Sequence, residues 1–316
     1  MDEAPLVPLA ILLGLLFGWN NGSLLFGNLR GSGATSLATA FFISAVGMIL
    51  GVTLEGSKMF SGLAGSLAGS TTESILLTTL IVSVAFTLVL TILSLPVSFS
   101  MVMVAAFLGA TISSSITVSL SRSAEIILFW FLAPLIAALL TFVLYDFTTN
   151  FFSRFGFVKV DLFNRAGSAI AAILVSYTLG ANNIGLIYGG TLVMGNSIQV
   201  VVIMAITFAA VIGMAISTRS SVSGTIGDKM LSLSPQGVFV AFGASAAVVW
   251  VGTQFAIPLS ISQCLLGGML GAAYTKAIAV FNQRLVIETT SVWVVAPVIS
   301  FFVGYLLVLA LIPSFG

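Results

Sequence analysis

Pro96-Val97-Ser98-Phe99-Ser100 recurs as Pro258-Leu259-Ser260-Ile261-Ser262, 162 residues downstream. An earlier block repeats at the same offset. Gly18-Trp19-Asn20-Asn21 returns as Gly180-Ala181-Asn182-Asn183, and Gly27 returns as Gly189. Later blocks repeat as well: Leu108-Gly109-Ala110 returns as Leu270-Gly271-Ala272. Trp130 with Ala133-Pro134 returns as Trp293 with Ala296-Pro297, at an offset of 163. Separate blocks in one order at one spacing mark an internal duplication of about half the chain.

Both copies are apolar. Of the 316 residues, 59% are hydrophobic and 6% charged, against about 25% charged in a soluble domain. So few charges cannot cover a water-facing surface. Apolar runs long enough to cross about 30 Å of hydrocarbon fall at 5–25, 34–54, 73–95, 97–119, 125–147, 166–188, 197–217, 236–257, 259–280 and 289–312. Five spans per copy, an odd number, turn the second copy over in the membrane. The expected fold is an all-α polytopic membrane protein: two inverted five-helix repeats with broken or re-entrant helices. They cover 1–149 and 166–316, with 150–165 as linker. Inverted repeats of this kind are a mark of secondary transporters. Stretches 56–72 and 218–234 are Gly/Ser-rich and read as loops or re-entrant pieces, which are tolerated at membrane depth when buried in protein or lining a cavity.

Cations set the expected orientation. With both termini outside, Arg30, Arg154, Lys159, Arg165, Arg219, Lys229, Lys276 and Arg284 lie inside, and Lys58 and Arg122 outside. The linker is then cytoplasmic and the protein sits in the plasma membrane. Met1-Asp2-Glu3 is acidic where a secretory signal carries positive charge, so the first helix is expected to insert and stay. The lone cysteine, Cys264, and the absence of histidine argue against a disulfide framework, a cysteine-rich metal site or a histidine relay. A net charge of +1 gives no reason to expect nucleic acid as a partner. No acid–base pair or metal cluster suggests an enzyme.

Two motifs carry the chemistry. Paired carboxamides in an apolar helix cost several kcal/mol if left unpartnered, and adjacent glycine permits a helix break that frees backbone groups for a ligand. Their bland reading is helix-to-helix glue. In the second motif, proline suits the first turn of a helix. The serines behind it then stand at the helix N-terminus, where free N–H groups and the positive end of the dipole favour an anion. Its bland reading is an ordinary N-cap at a tight turn. Inversion brings the two copies toward the midplane from opposite sides. The candidate substrate ligands are Asn20, Asn21, Ser98, Ser100, Asn182, Asn183, Ser260, Ser262 and Gln263. Glu55 and Glu73 flank 56–72 and join Asn21 and Asn183 as candidates for a coupling ion, Na⁺ or H⁺. No other cofactor is expected.

These motifs resemble the inorganic phosphate transporter (PiT) family over nearly the whole chain. That family carries Gly-Ala-Asn-Asp and Leu-Pro-Val-Ser-Thr-Thr-His elements in each half. Here they read Gly18-Trp19-Asn20-Asn21 with Gly31-Ser32-Gly33, Gly180-Ala181-Asn182-Asn183, Leu95-Pro96-Val97-Ser98-Phe99-Ser100-Met101, and Ile257-Pro258-Leu259-Ser260-Ile261-Ser262-Gln263. The resemblance implies symport of a tetrahedral oxyanion at one site shared by both repeats, in a homodimer. Asn21 and Asn183 replace the family's aspartates, and Met101 and Gln263 its histidines. The loss of the aspartates, with the shorter chain and the Ala45-Val46-Gly47 and Pro258-Leu259-Ser260 contexts, resembles the sulfate-permease branch. Sulfate carries no proton at neutral pH and needs only donors. The alternative is a passive anion channel of the same architecture.

Overall fold

The computed structural model describes residues 5–60, 63–191, 199–219, 233–275 and 282–311. Its principal helices in the first half are α1 (Leu6–Gly31), α2 (Leu37–Glu55), α3 (Glu73–Ile92), α4 (Phe99–Ser113) and α5 (Leu120–Phe152). In the second half they are α6 (Phe157–Gly189), α7 (Gln199–Ser217), α8 (Pro235–Gln254), α9 (Ile261–Thr275) and α10 (Gln283–Leu311). Eight of them are long and apolar enough to cross a membrane. The turn between the halves is only residues 153–156, because the ends of the expected linker are helical. There Phe152 of α5 stacks on Phe163 of α6.

Glycine contacts show the inversion directly. Five residues, 32–36, join α1 to α2, so α2 doubles back. Gly14 and Gly18 of α1 lie against Ile206 and Ala210 of α7, and Gly47 and Gly51 of α2 against Ile173 and Tyr177 of α6. Residue numbers rise together in both pairs, so each pair is parallel. Since α6 runs with α2, it runs against α1, its own copy. The backbones touch: a Cβ on Gly18 would stand 1.9 Å from the Ala210 carbonyl oxygen, and one on Gly213 1.9 Å from that of Leu15. Small residues give helices in lipid this close approach, which replaces the hydrophobic drive that water supplies elsewhere.

Three expectations need correction. Segment 97–119 is not a full helical span, and of its twin 259–280 the described helix covers Ile261–Thr275, with 276–280 outside the described residues. α4 holds 15 residues, about 22 Å of helix, short of the roughly 30 Å core. A six-residue stretch, 93–98, joins α3 to α4. The far ends of the pair are tied together, Ser119 N–H donating to the Leu67 carbonyl and Gly69 N–H to that of Thr117. The pair therefore returns to the side it starts from. It adds an even number of crossings, and the inversion survives.

The second correction concerns the prolines. Pro96 and Pro258 precede the helices by three residues instead of opening them. Proline disfavours helical geometry in the residue before it, and Ser94 and Ala256 turn the chain with φ of 59° and 52°. The third is that α1 does not break at Asn20-Asn21 but runs through them as continuous α-helix. The second copy widens into a π-helical turn over Leu179–Ile184, a form common at functional sites. Glycine there serves contact rather than a break.

Within 56–72, a 3-10 turn over Gly56–Met59 lies against α6, where a Cβ on Gly185 would sit 2.4 Å from the Gly56 carbonyl oxygen, and one helical turn over Ala64–Leu67 lies beside the start of α5. Of 218–234, residues 220–232 lie outside the described residues, as do Lys229 and Lys276.

Candidate functional site

Asn20 and Asn182 each clamp the hairpin tip of their own repeat. Asn20 Nδ2 donates to Thr91 Oγ1 (3.1 Å) and the Leu95 carbonyl (3.0 Å), while its Oδ1 accepts from Val97 N–H (2.9 Å). Asn182 repeats the set at offset 162, with Thr253 (3.0 Å), the Ile257 carbonyl (3.1 Å) and Leu259 N–H (3.2 Å). Both are buried. Their carboxamides donate and accept within the protein, so in this conformation they position the tips.

The tryptophans complete the clamp across the pseudo-twofold axis. Trp293 Nε1 of α10 donates to the Pro96 carbonyl (3.0 Å), and Trp130 Nε1 of α5 to that of Pro258 (3.0 Å). Each tip is thus held by a carboxamide from its own repeat and an indole from the other. The proline carbonyls are open to such donors because they lie in extended chain outside any helical ladder.

The tips bring the starts of α4 and α9 together. Ser262 Oγ donates to the Val97 carbonyl (2.9 Å) and lies 3.0 Å from Ser260 Oγ. α4 runs with α10, since Val102 meets Ser300 and Ala106 meets Gly304. α9 runs with α5 in the same way, Gly267 against Pro134 and Gly271 against Ala138. Helices α5 and α10 are inverted copies, so α4 and α9 point their N-termini at each other. The first N–H groups of a helix have no partner within it, and the dipoles add positive potential. At α4 these donors stay open, because Ser98 makes no side-chain cap bond. The Ser98 and Ser100 hydroxyls are buried without a partner, and so is Asn183 Oδ1. Leaving such groups unmade costs about 1–3 kcal/mol each.

The remaining candidates fall as follows. Gln263 is buried in the first turn of α9, its N–H 3.4 Å from Ser260 Oγ. Asn21 is buried, with Nδ2 donating to its own helix at the Phe17 carbonyl (3.1 Å). Glu55 is paired with Lys58 (3.1 Å) and accepts from Gln254 Nε2 (3.0 Å) at the end of α8. Glu73 opens α3, about 27 Å along the helix axis from Thr91. The structure does not bring Glu73 to the helix starts.

A model of the phosphate transporter family matches the chain twice, over residues 17–160 and 157–304. The chain belongs to the phosphate transporter family. It is a membrane transporter, not an enzyme, and its substrate is an inorganic oxyanion. The "Putative phosphate permease" of Methanocaldococcus jannaschii is 26% identical, over 92% of each chain. The "Sulfate permease CysP" of Bacillus subtilis is 24% identical, over 95% of this chain and 86% of that one. A solved structure described as "The sodium-dependent phosphate transporter" superposes with a TM-score of 0.84 over 98% of both chains at 14% identity. It shows that this transporter shares the fold.

Thr91, Thr253 and the two tryptophans are not among the candidate site residues that the sequence singles out. The signal was present: Thr253 follows Thr91 at the same offset of 162. Hydroxyl and indole partners look ordinary in an apolar helix until the carbonyls they serve are located.

Proposed function

We propose that the protein is a secondary transporter that takes up sulfate, in preference to phosphate, and holds it between the facing starts of α4 and α9. One observation carries the reading: the Ser98 and Ser100 hydroxyls are buried and unpartnered at a helix N-terminus that meets a second one. Open backbone N–H groups and hydroxyls bind an anion without a buried Lys or Arg. Ser260, Ser262, Gln263 and Asn183 supply the other wall. Asn21 and Asn183 stand where the family's aspartates are expected. A carboxamide cannot take a proton from dihydrogen phosphate as a carboxylate can, whereas sulfate brings no proton to place. Na⁺ is the coupling ion we assign, with Asn183 Oδ1 as a neutral oxygen ligand, and H⁺ is the alternative. We place the protein in the plasma membrane as a homodimer, with its termini outside and the turn after α5 in the cytoplasm. The passive channel draws no support from the relatives, whose names are permease and transporter.

Proteoliposomes loaded with an imposed Na⁺ or proton gradient test this with labelled sulfate and phosphate. Gradient-driven sulfate uptake is expected, with phosphate a poor competitor. In Ser98→Ala and Ser260→Ala the anion should bind more weakly by about 1.5–3 kcal/mol, the range for a hydrogen bond to a charged group. Phosphate uptake with no sulfate uptake would reverse the substrate assignment. Uptake of neither would end the proposal.

A further inference from the structure

The two hairpin tips are alike in their clamps and unlike in their charges. At the end of α8, Arg122 Nη2 donates to the carbonyls of Phe255 (2.7 Å) and Ala256 (2.9 Å), while its Nη1 holds Glu125 (2.6 Å). Beside it Gln254 bridges an ion pair, its Nε2 donating to Glu55 (3.0 Å) and its Oε1 accepting from Lys58. Two cations thus stand at the C-terminal end of α8, where the helix dipole is negative and the last carbonyls lack partners.

The corresponding positions in the other repeat are neutral. Glu55, Lys58 and Gln254 match Ser217, Ser220 and Ile92 at offset 162, and Arg122 matches Leu285 at 163. At the α3 tip, Ile92 and Leu93 are exposed apolar residues. Arg284, near the start of α10, is 89% exposed and turned to Glu288 (2.7 Å).

We infer that Arg122 and the Glu55–Lys58–Gln254 group form a charged latch that holds the α8–α9 tip shut, a lock by charge that has no counterpart among the described residues at the α3–α4 tip. Alternating access in an inverted-repeat transporter moves one repeat against the other around a fixed site. Both tips meet at that site, and each is held by the opposite repeat, so opening either face has to release a tip. The latch joins repeats: Arg122, Glu55 and Lys58 belong to the first, and the tip they hold to the second. Arg122 and Lys58 are 19% and 38% exposed, so they can be handed to water without unpacking the core. They are also the two cations on the minority side of the charge distribution, where retention of positive charge needs a local reason. The latch does not depend on which oxyanion is carried.

Thiol labelling in nanodiscs tests it. In a Cys264→Ala background, Leu259→Cys places a reporter that is 2% exposed behind the latched tip. A membrane-impermeant maleimide should label it about tenfold faster in Arg122→Gln and in Lys58→Gln, the change expected from losing roughly one charge-assisted hydrogen bond. Arg284→Gln should leave the rate unchanged. The two latch variants act on separate partners, so one misfolded variant, recognised by loss of a monodisperse peak, leaves the other to decide. Unchanged labelling in a folded latch variant, or an equal rise in Arg284→Gln, would overturn the latch.

Discussion

Gly18→Ala is expected to destabilise the protein by at least about 3 kcal/mol, although alanine in a helix interior ordinarily gains about 1 kcal/mol over glycine. The added methyl would lie 1.9 Å from the Ala210 carbonyl oxygen, 2.6 Å from its carbonyl carbon and 2.8 Å from its Cα. All three are backbone atoms, so no side chain can swing aside and α1 must part from α7. Overpacking a dense interior typically costs about 1–3 kcal/mol, and separating two interlocked helices adds lost contacts along their length. Gly243→Ala is the control, because a Cβ there meets nothing within 4 Å, and it should be neutral or stabilising by up to about 1 kcal/mol. Thermal unfolding in detergent, read with size-exclusion monodispersity, checks both. Equal behaviour of the two variants would mean that α1 and α7 are not in backbone contact.

Asn182→Ala is expected to loosen the second hairpin tip at a cost of about 2–5 kcal/mol, the sum of two or three buried polar groups left unmade. The Leu259 N–H loses its acceptor and the Ile257 carbonyl its donor, both in extended chain that no helical ladder can rescue. Thr253 keeps its bond to the Val249 carbonyl (2.9 Å) and is less affected. Hydrogen exchange locates the damage: the Leu259 amide should lose protection while amides in the middle of α10 keep theirs. Asn182→Asp, which retains an acceptor, should restore protection at Leu259 and still lose the bonds to Thr253 and Ile257. Unchanged exchange at Leu259 in the alanine variant would remove Asn182 from the tip.

The repeat, the inversion and the four motif positions were legible in the sequence because duplication leaves matched residues at one spacing. Direction was not legible. Asn20 and Asn182 are as conspicuous as ligands would be, but a sequence does not say that a carboxamide turns toward Val97 or Leu259 of its own repeat. The half-length of α4 was hidden for a different reason. Its residues from Phe99 to Thr111 are all buried in protein, and apolar side chains facing protein read like apolar side chains facing lipid. Hydropathy therefore extended 97–119 into a full span. Proline was read as opening a helix, when in each copy it holds extended chain whose carbonyl binds an indole from the other repeat. The charged tip was not legible because duplication marks what the copies share, and the latch lies in where they differ.

The most direct measurement of the central claim is an experimental density map of the protein with bound sulfate. The expected result is one anion between the starts of α4 and α9, within hydrogen-bond distance of Ser98 or Ser100 on one side and of Ser260 or Ser262 on the other. An anion bound elsewhere, with the Ser98 and Ser100 hydroxyls still unpartnered, would contradict it.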